Sequence, residues 1–256
     1  MRLIDTHCHL DVEEFAADRE AVVARARAAG VSDFVIPGIY REEWPQLIAF
    51  CRSGPGLHPA LGLHPVYLAR HTEADLAELP VWVEREQPLA IGEIGLDFQL
   101  RDLDRVRQQE VLERQLAVAR EFRLPVLLHV RKAHDEMLRT LRRAKLDGGI
   151  CHAFNGSLQQ AQQYLDLGFK LGFGGMLTYE RSNKLRALAR TLPLNALVLE
   201  TDAPDLTVAS HRFERNSPEY LPEILQALAG VREADPAVVA AATSANARQV
   251  LGLPAD

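Results

Sequence analysis

The sequence predicts an α/β protein, a TIM (β/α)8 barrel forming a single domain over residues 1–256. Three observations carry this. The length, 256 residues, suits a fold that typically takes about 250. Short apolar runs alternate with helical stretches, as in a parallel sheet covered by helices. Histidines and carboxylates gather at the C-terminal ends of those runs, the rim on which such barrels build their sites.

The elements follow in order. Leu3 to His9 is the first strand. Glu13 to Ala29 carries apolar residues at helical spacing (Phe15, Val22, Val23, Ala26), with Gly30 as its stop. Strand Asp33 to Pro37 and helix Glu42 to Cys51 lead through Gly54, Pro55 and Gly56 to strand His58 to Leu63. Helix Asp75 to Glu86, strand Leu89 to Ile94, helix Leu103 to Arg123 and strand Pro125 to Val130 continue the alternation, and helix Ala133 to Lys145 follows. The second half supplies strands Gly149 to Ala153, Phe169 to Phe173 and Ala196 to Thr201, with helices at Leu158 to Leu167 and Arg181 to Thr191 between them. A loop from Pro204 to Pro218 precedes helices Glu219 to Ala229 and Pro236 to Leu251. Eight strands in this order suggest closure into a barrel.

Composition narrows the function classes. With 35 acidic and 29 basic side chains the formal charge is −6, which argues against a broad basic surface for nucleic acid and leaves room only for a local patch. Cys8, Cys51 and Cys151 show no paired spacing of a thiolate zinc site or a disulfide scaffold, so a reduced cytoplasm fits best. No signal-like N-terminus and no apolar run long enough to cross a bilayer is present, and the expectation is a cytoplasmic protein without a membrane partner. A monomer is the default, for want of a long apolar stripe.

Candidate site residues come from the strand ends. In an extended strand His7 and His9 share a face and Cys8 takes the other. His129 closes strand five, His152 lies near the end of strand six, Glu93 is late in strand four, Asp202 follows strand eight and His64 follows strand three. His58 begins its strand and belongs to the opposite rim. Each of these taken singly reads as a polar residue satisfied by a neighbour. Together, His7, His9, Glu93, His129, His152 and Asp202 would be costly to bury without a cation. One or two divalent ions would remove that cost, and nitrogen plus oxygen donors suit zinc, manganese or iron better than magnesium. Asp5 is either an acceptor for an imidazole N–H or a strand-start backbone contact. Cys8 and Cys151 should pack toward the helices, and His71 and His134 should be exposed. Ser157 with Gln160 forms a capping-box pattern. Arg131 reads as a phosphate contact or a solvated arginine, and His211, Arg212 and Arg215 as a basic patch or a solvated run.

The motifs DTHCH (Asp5 to His9), GLHP (Gly62 to Pro65), GEIGLD (Gly92 to Asp97), VLLHVR (Val126 to Arg131), HAFNGS (His152 to Ser157) and ETDAP (Glu200 to Pro204) together resemble the TatD family of metal-dependent hydrolases, within the amidohydrolase-like superfamily. The resemblance runs from residue 3 to about residue 250. It implies a deoxyribonuclease using two divalent metal ions (Zn, Mn, Mg or Fe) with DNA as substrate and Glu93 as bridging ligand. His7, His9 and Asp202 would hold one ion, His129 and His152 the other. Ala153 and Asn155 depart from the usual HAFNGS-region residues, and Asp205 replaces a common aromatic residue.

On this reading a hydroxide activated by the ions attacks the phosphodiester, with Glu93 and Asp202 as the catalytic carboxylates and Asp202 handling the proton. His64, Arg131, Arg212 and Arg215 would position phosphate. No lysine stands at the Glu93 position, so a carboxylated lysine cannot bridge metals from that strand. The alternatives are a metal-dependent ester or amide hydrolase, including one for an aminoacyl ester on RNA, and a non-catalytic metal-binding protein.

Overall fold

In the computed structural model, which describes residues 2–254, eight parallel strands form one sheet in strict sequential order. They are β1 (Leu3–Asp5), β2 (Val31–Pro37), β3 (Leu57–Leu61), β4 (Ala90–Asp97), β5 (Val126–Arg131), β6 (Gly149–Cys151), β7 (Phe169–Phe173) and β8 (Leu197–Leu199). Around them lie α1 (Arg19–Ala28), α2 (Trp44–Cys51), α3 (Glu73–Glu86), α4 (Arg105–Phe122), α5 (His134–Ala144), α6 (Leu158–Asp166), α7 (Asn183–Thr191), α8 (Leu221–Arg232) and α9 (Pro236–Leu251).

Side-chain alternation divides the strands between two cores. Ile4, Val35, Ala60, Ala90, Leu127, Ile150 and Val198 fill the barrel interior, closed below by Ala247 and Leu251 of α9. Their neighbours in sequence, such as Phe34, Ile36, Leu128, Cys151 and Leu199, join the larger layer between sheet and helices. Cys8 lies in that outer layer, as its parity predicts. Along β5 the pattern is regular, with Leu127 inside, Leu128 outside, and His129 rising into the site above Leu127.

The first and last strands meet through hydrogen bonds beyond their ladder positions. Thr6 N–H donates to the Leu199 carbonyl (3.0 Å) and Asp202 N–H to the His7 carbonyl (2.8 Å). Asp5 completes the seam: its carboxylate accepts from Thr201 N–H (2.9 Å) and the Thr201 hydroxyl (2.6 Å). The backbone alternative for Asp5 is therefore the observed one, and among the described residues no imidazole donates to it. Burial pushes its pKa up to about 7, against the Thr201 hydrogen bonds.

Several boundaries differ from the sequence reading. β1 ends at Asp5, because residues 6–9 leave the ladder to make the seam. The expected helix from Glu13 divides into a 3-10 turn (Glu13–Phe15) and α1, and Arg19 donates to the carbonyls of Leu10 and Asp11. β4 continues past Ile94 to Asp97. The capping box at Ser157 and Gln160 is present. His71 and His134 are buried rather than exposed, because each finds a partner: His71 Nε2 lies 2.8 Å from the His64 carbonyl, and His134 lies 3.1 Å from the Tyr164 hydroxyl.

The seam predicts a stability effect. Thr201→Val removes a donor from a buried carboxylate and should lower unfolding stability by about 1–3 kcal/mol, measured by urea titration. An unchanged midpoint and slope would show that Asp5 does not tie the barrel shut.

Candidate metal centre

Glu93 is the hub of the C-terminal rim. The register of β4 against β5 shifts between Ile91 and Ile94, an irregularity of the kind that re-aims side chains beside active sites, and Glu93 lies within it. Its Oε2 is 3.0 Å from His7 Nε2 and 3.5 Å from His9 Nε2. Its Oε1 is 3.0 Å from His129 Nδ1, 3.2 Å from His152 Nε2 and 3.3 Å from His64 Nε2. Asp202 Oδ1 stands 3.5 Å from His7 Nε2 and 3.8 Å from His9 Nε2. Glu93 is 1% exposed, so these contacts replace water rather than supplement it.

The proton supply does not match the contacts. His7 Nε2 faces His9 Nε2 (3.3 Å), Glu93 Oε2 and Asp202 Oδ1 at once, yet it can carry only one proton. A cation among these atoms satisfies all of them. The His7, His9 and Asp202 separations also match the roughly 3.4 Å ligand-to-ligand edge expected for a tetrahedral ion with bonds of about 2.1 Å. The residues present therefore fit a divalent ion. Three compact donor groups result: His7, His9 and Asp202; His7, Glu93 and His152; and His64, Glu93 and His129. His129 and His152 approach the same Glu93 oxygen but belong to different groups, and His64 stands as a donor rather than only at the substrate.

Electrostatics record the same crowding. Burial holds His7 down to about 3 and His64 to about 4. Burial also opposes charge on His9, but its contact with Glu93 prevails and raises it to about 9. His152 is likewise raised against burial, by Glu93 and Asp202, and His129 by Asp97 and Glu93. Glu93, despite burial, is held well below the usual carboxylate range by His64, His7 and His152. Burial lifts Asp202 to about 6, against the charges of His152 and His9.

Two carboxylates complete the site that sequence reasoning assigned no role. Asp97, at the end of β4, accepts from Gln99 N–H (2.9 Å) and lies 3.0 Å from His129 Nε2. A proton held on Nε2 by Asp97 would leave Nδ1, which lies beside Glu93, to a metal ion. Glu200, fully buried, accepts from Ala153 N–H (2.5 Å) and lies 3.5 Å from His152 Nδ1. Gly172 makes room for it, since a Cβ there would fall 2.1 Å from Glu200 Oε2. Parity was the available signal: Asp97 is four residues beyond Glu93, and Glu200 is two before Asp202.

The other sequence candidates divide. Arg131 lines the cavity over the centre and lies 3.6 Å from Asp97. Arg215 does not line it: both Nη atoms donate to Asp18 (2.9 and 2.7 Å), and the guanidinium covers Phe15. Arg212 also lies outside the cavity lining, with its guanidinium 4.5 Å from the Phe213 ring centroid. Of the expected basic patch, Arg215 is thus engaged by Asp18 and Phe15, while Arg212 stays exposed outside the cavity lining. His58 pairs with Asp33 (2.9 Å), away from the site. The cavity, about 880 Å³, is instead flanked by Arg181 and Lys184 from the α7 side and by Tyr67.

The chain is also similar to known proteins. A family model described as TatD related DNase matches residues 4–252. The chain is 39% identical to the uncharacterized metal-dependent hydrolase YjjV of Escherichia coli K12, over 99% of each chain. It is 36% identical to the 3'-5' ssDNA/RNA exonuclease TatD of Cronobacter sakazakii, over 97% of each. The crystal structure of Escherichia coli YjjV superposes with a TM-score of 0.94 at 38% identity, covering 98% of both chains.

Two outcomes follow from the geometry. Glu200→Gln should weaken divalent-metal affinity about 10–100-fold in a chelator competition, by releasing His152; unchanged affinity would remove Glu200 from the centre. His9, raised to about 9, and His152, also raised, favour the protonated form without metal, so metal uptake should expel at least one proton and tighten by about tenfold or more per pH unit between pH 7 and 9. Calorimetry in buffers of different ionisation enthalpy measures that proton, and its absence would mean His9 is already neutral.

Proposed function

The chain belongs to the TatD-related DNase family, and on that premise we propose that it is a two-metal phosphodiesterase that trims single-stranded nucleic acid, DNA foremost, from an end. The observation that carries this is a buried imidazole and carboxylate centre at the floor of a cavity whose mouth holds Arg131, Arg181 and Lys184. Cations at the mouth select an anionic substrate, and a volume of about 880 Å³ suits a ligand of nucleotide size.

His7, His9 and Asp202 would hold one ion and His129 and His152 the other, with Glu93 between them and His64 beside His129. When bound, divalent ions lower the pKa of the attacking water and neutralise charge on the phosphoryl oxygens. Asp202, lifted to about 6 by burial, is suited to take a proton near neutral pH. Asp97 keeps His129 in one tautomer and holds Arg131 near the mouth, where its guanidinium can pair with a phosphate. Tyr67, 40% exposed at the cavity wall, offers a face on which a base can stack. The relatives named as exonucleases support an end-directed activity on single strands.

The test is hydrolysis of a single-stranded DNA oligonucleotide. Chelation should abolish it and added metal restore it, and Asp202→Asn should lower kcat by about 10²–10⁴-fold. Activity indifferent to chelator, or restricted to carboxylic esters, would overturn the proposal.

A further inference from the structure

A second cavity, about 700 Å³, adjoins the first. Asn155 and Lys184 line both and form the divide between them, with Lys184 Nζ donating to the Asn155 carbonyl (2.6 Å). The backbone after β5 also serves both sides. Lys132 adopts a left-handed conformation (φ 54°), and there the lining changes from Arg131 in the first cavity to Lys132 in the second. Asn155 is held in place by buried His134, whose Nε2 lies 3.2 Å from its Oδ1.

The second cavity is cationic in a chain whose net charge is −6. Arg105, Lys132, Arg139 and Lys184 line it against Asp135 and Glu136. Both acids are engaged: Asp135 accepts from Gln160 Nε2, and Glu136 pairs with Arg139. Lys132 and Arg105 make no ion pair among the described residues, and the Arg105 guanidinium lies 4.5 Å from the centre of the Phe98 ring, which also lines the cavity. Cations along a groove with an aromatic face are the ordinary means of holding a single strand by its backbone and bases.

We propose that this second cavity holds the retained part of a single-stranded substrate, its phosphates beyond the scissile one lying against Lys132, Arg105 and Lys184. This rests on the end-directed phosphodiesterase reading. When one terminal nucleotide is removed per cut, any further phosphates belong to the retained strand. They must leave the metal cavity by some route, and the passage over Asn155 and Lys184 is cationic and continuous with it.

Equilibrium binding of fluorescent single-stranded DNA in chelator, compared with a mononucleotide, tests this without hydrolysis. For Lys132→Gln and Arg105→Gln, each exposed in the fold, oligonucleotide affinity should fall and the slope of log affinity against log salt should shrink by about one per variant. Mononucleotide binding should stay unchanged. Arg120→Gln, an exposed cation on α4 that lines neither cavity, should leave both unchanged. Unaltered slopes in Lys132→Gln and Arg105→Gln, or equal losses in Arg120→Gln, would overturn the proposed track. Oligonucleotide binding with the predicted slopes but no metal-dependent hydrolysis would overturn the phosphodiesterase reading instead.

Discussion

The structure turns on a shortage of protons around one buried carboxylate. Imidazoles from β5 and from the segments just after β1, β3 and β6 approach Glu93 within hydrogen-bonding range. Neutral histidines face acceptors there without a proton for each, and fully protonated ones would repel one another. Lowered His7 and His64 beside raised His9 and His152 express that compromise in the metal-free chain. Divalent ions resolve it, because each replaces several competing hydrogen bonds with bonds to lone pairs.

Assembling this centre requires the two ends of the sheet to meet. The seam from Asp5 to Thr201, together with the bond from Asp202 N–H to the His7 carbonyl, sets the first and last strands side by side at the height of the ligands. Closure of the barrel thus brings His7 and His9 beside Asp202. Below, aliphatic side chains of alternate residues fill the barrel; above them, the same inward positions carry His129, His152 and Glu200. Gly172 lets the carboxylate of Glu200 lie against β7. The helices supply the outer layer and, with β5 and the loop after it, the cations that border the two cavities, Arg105 on α4, Arg139 on α5 and Lys184 on α7 among them.

Much of this was legible from residue pattern. Near-continuous apolar runs ending in polar residues identify the parallel strands, and two-residue periodicity places Cys8 and Cys151 toward the helices, where they lie. The extent of β1 is what the pattern misses, since the chain leaves its strand at Asp5 to build the seam, a tertiary demand with no local signature. Arg215 looks like part of a basic patch because its captor is distant in sequence; Asp18 lies 197 residues from it. His71 and His134 look exposed on a helix pattern and are buried because a carbonyl and a tyrosine hydroxyl await them. Asp97 and Glu200 stand within recognised motifs, but their role of orienting a histidine shows only once the partner imidazole is in view.

The central claim, that Glu93 is shared between two divalent ions, is tested most directly by anomalous diffraction from crystals of the metal-loaded protein. The account predicts two anomalous peaks on either side of the Glu93 carboxylate, one bordered by His7, His9 and Asp202 and the other by His129 and His152. A single peak, or two peaks of which neither contacts Glu93, would contradict it.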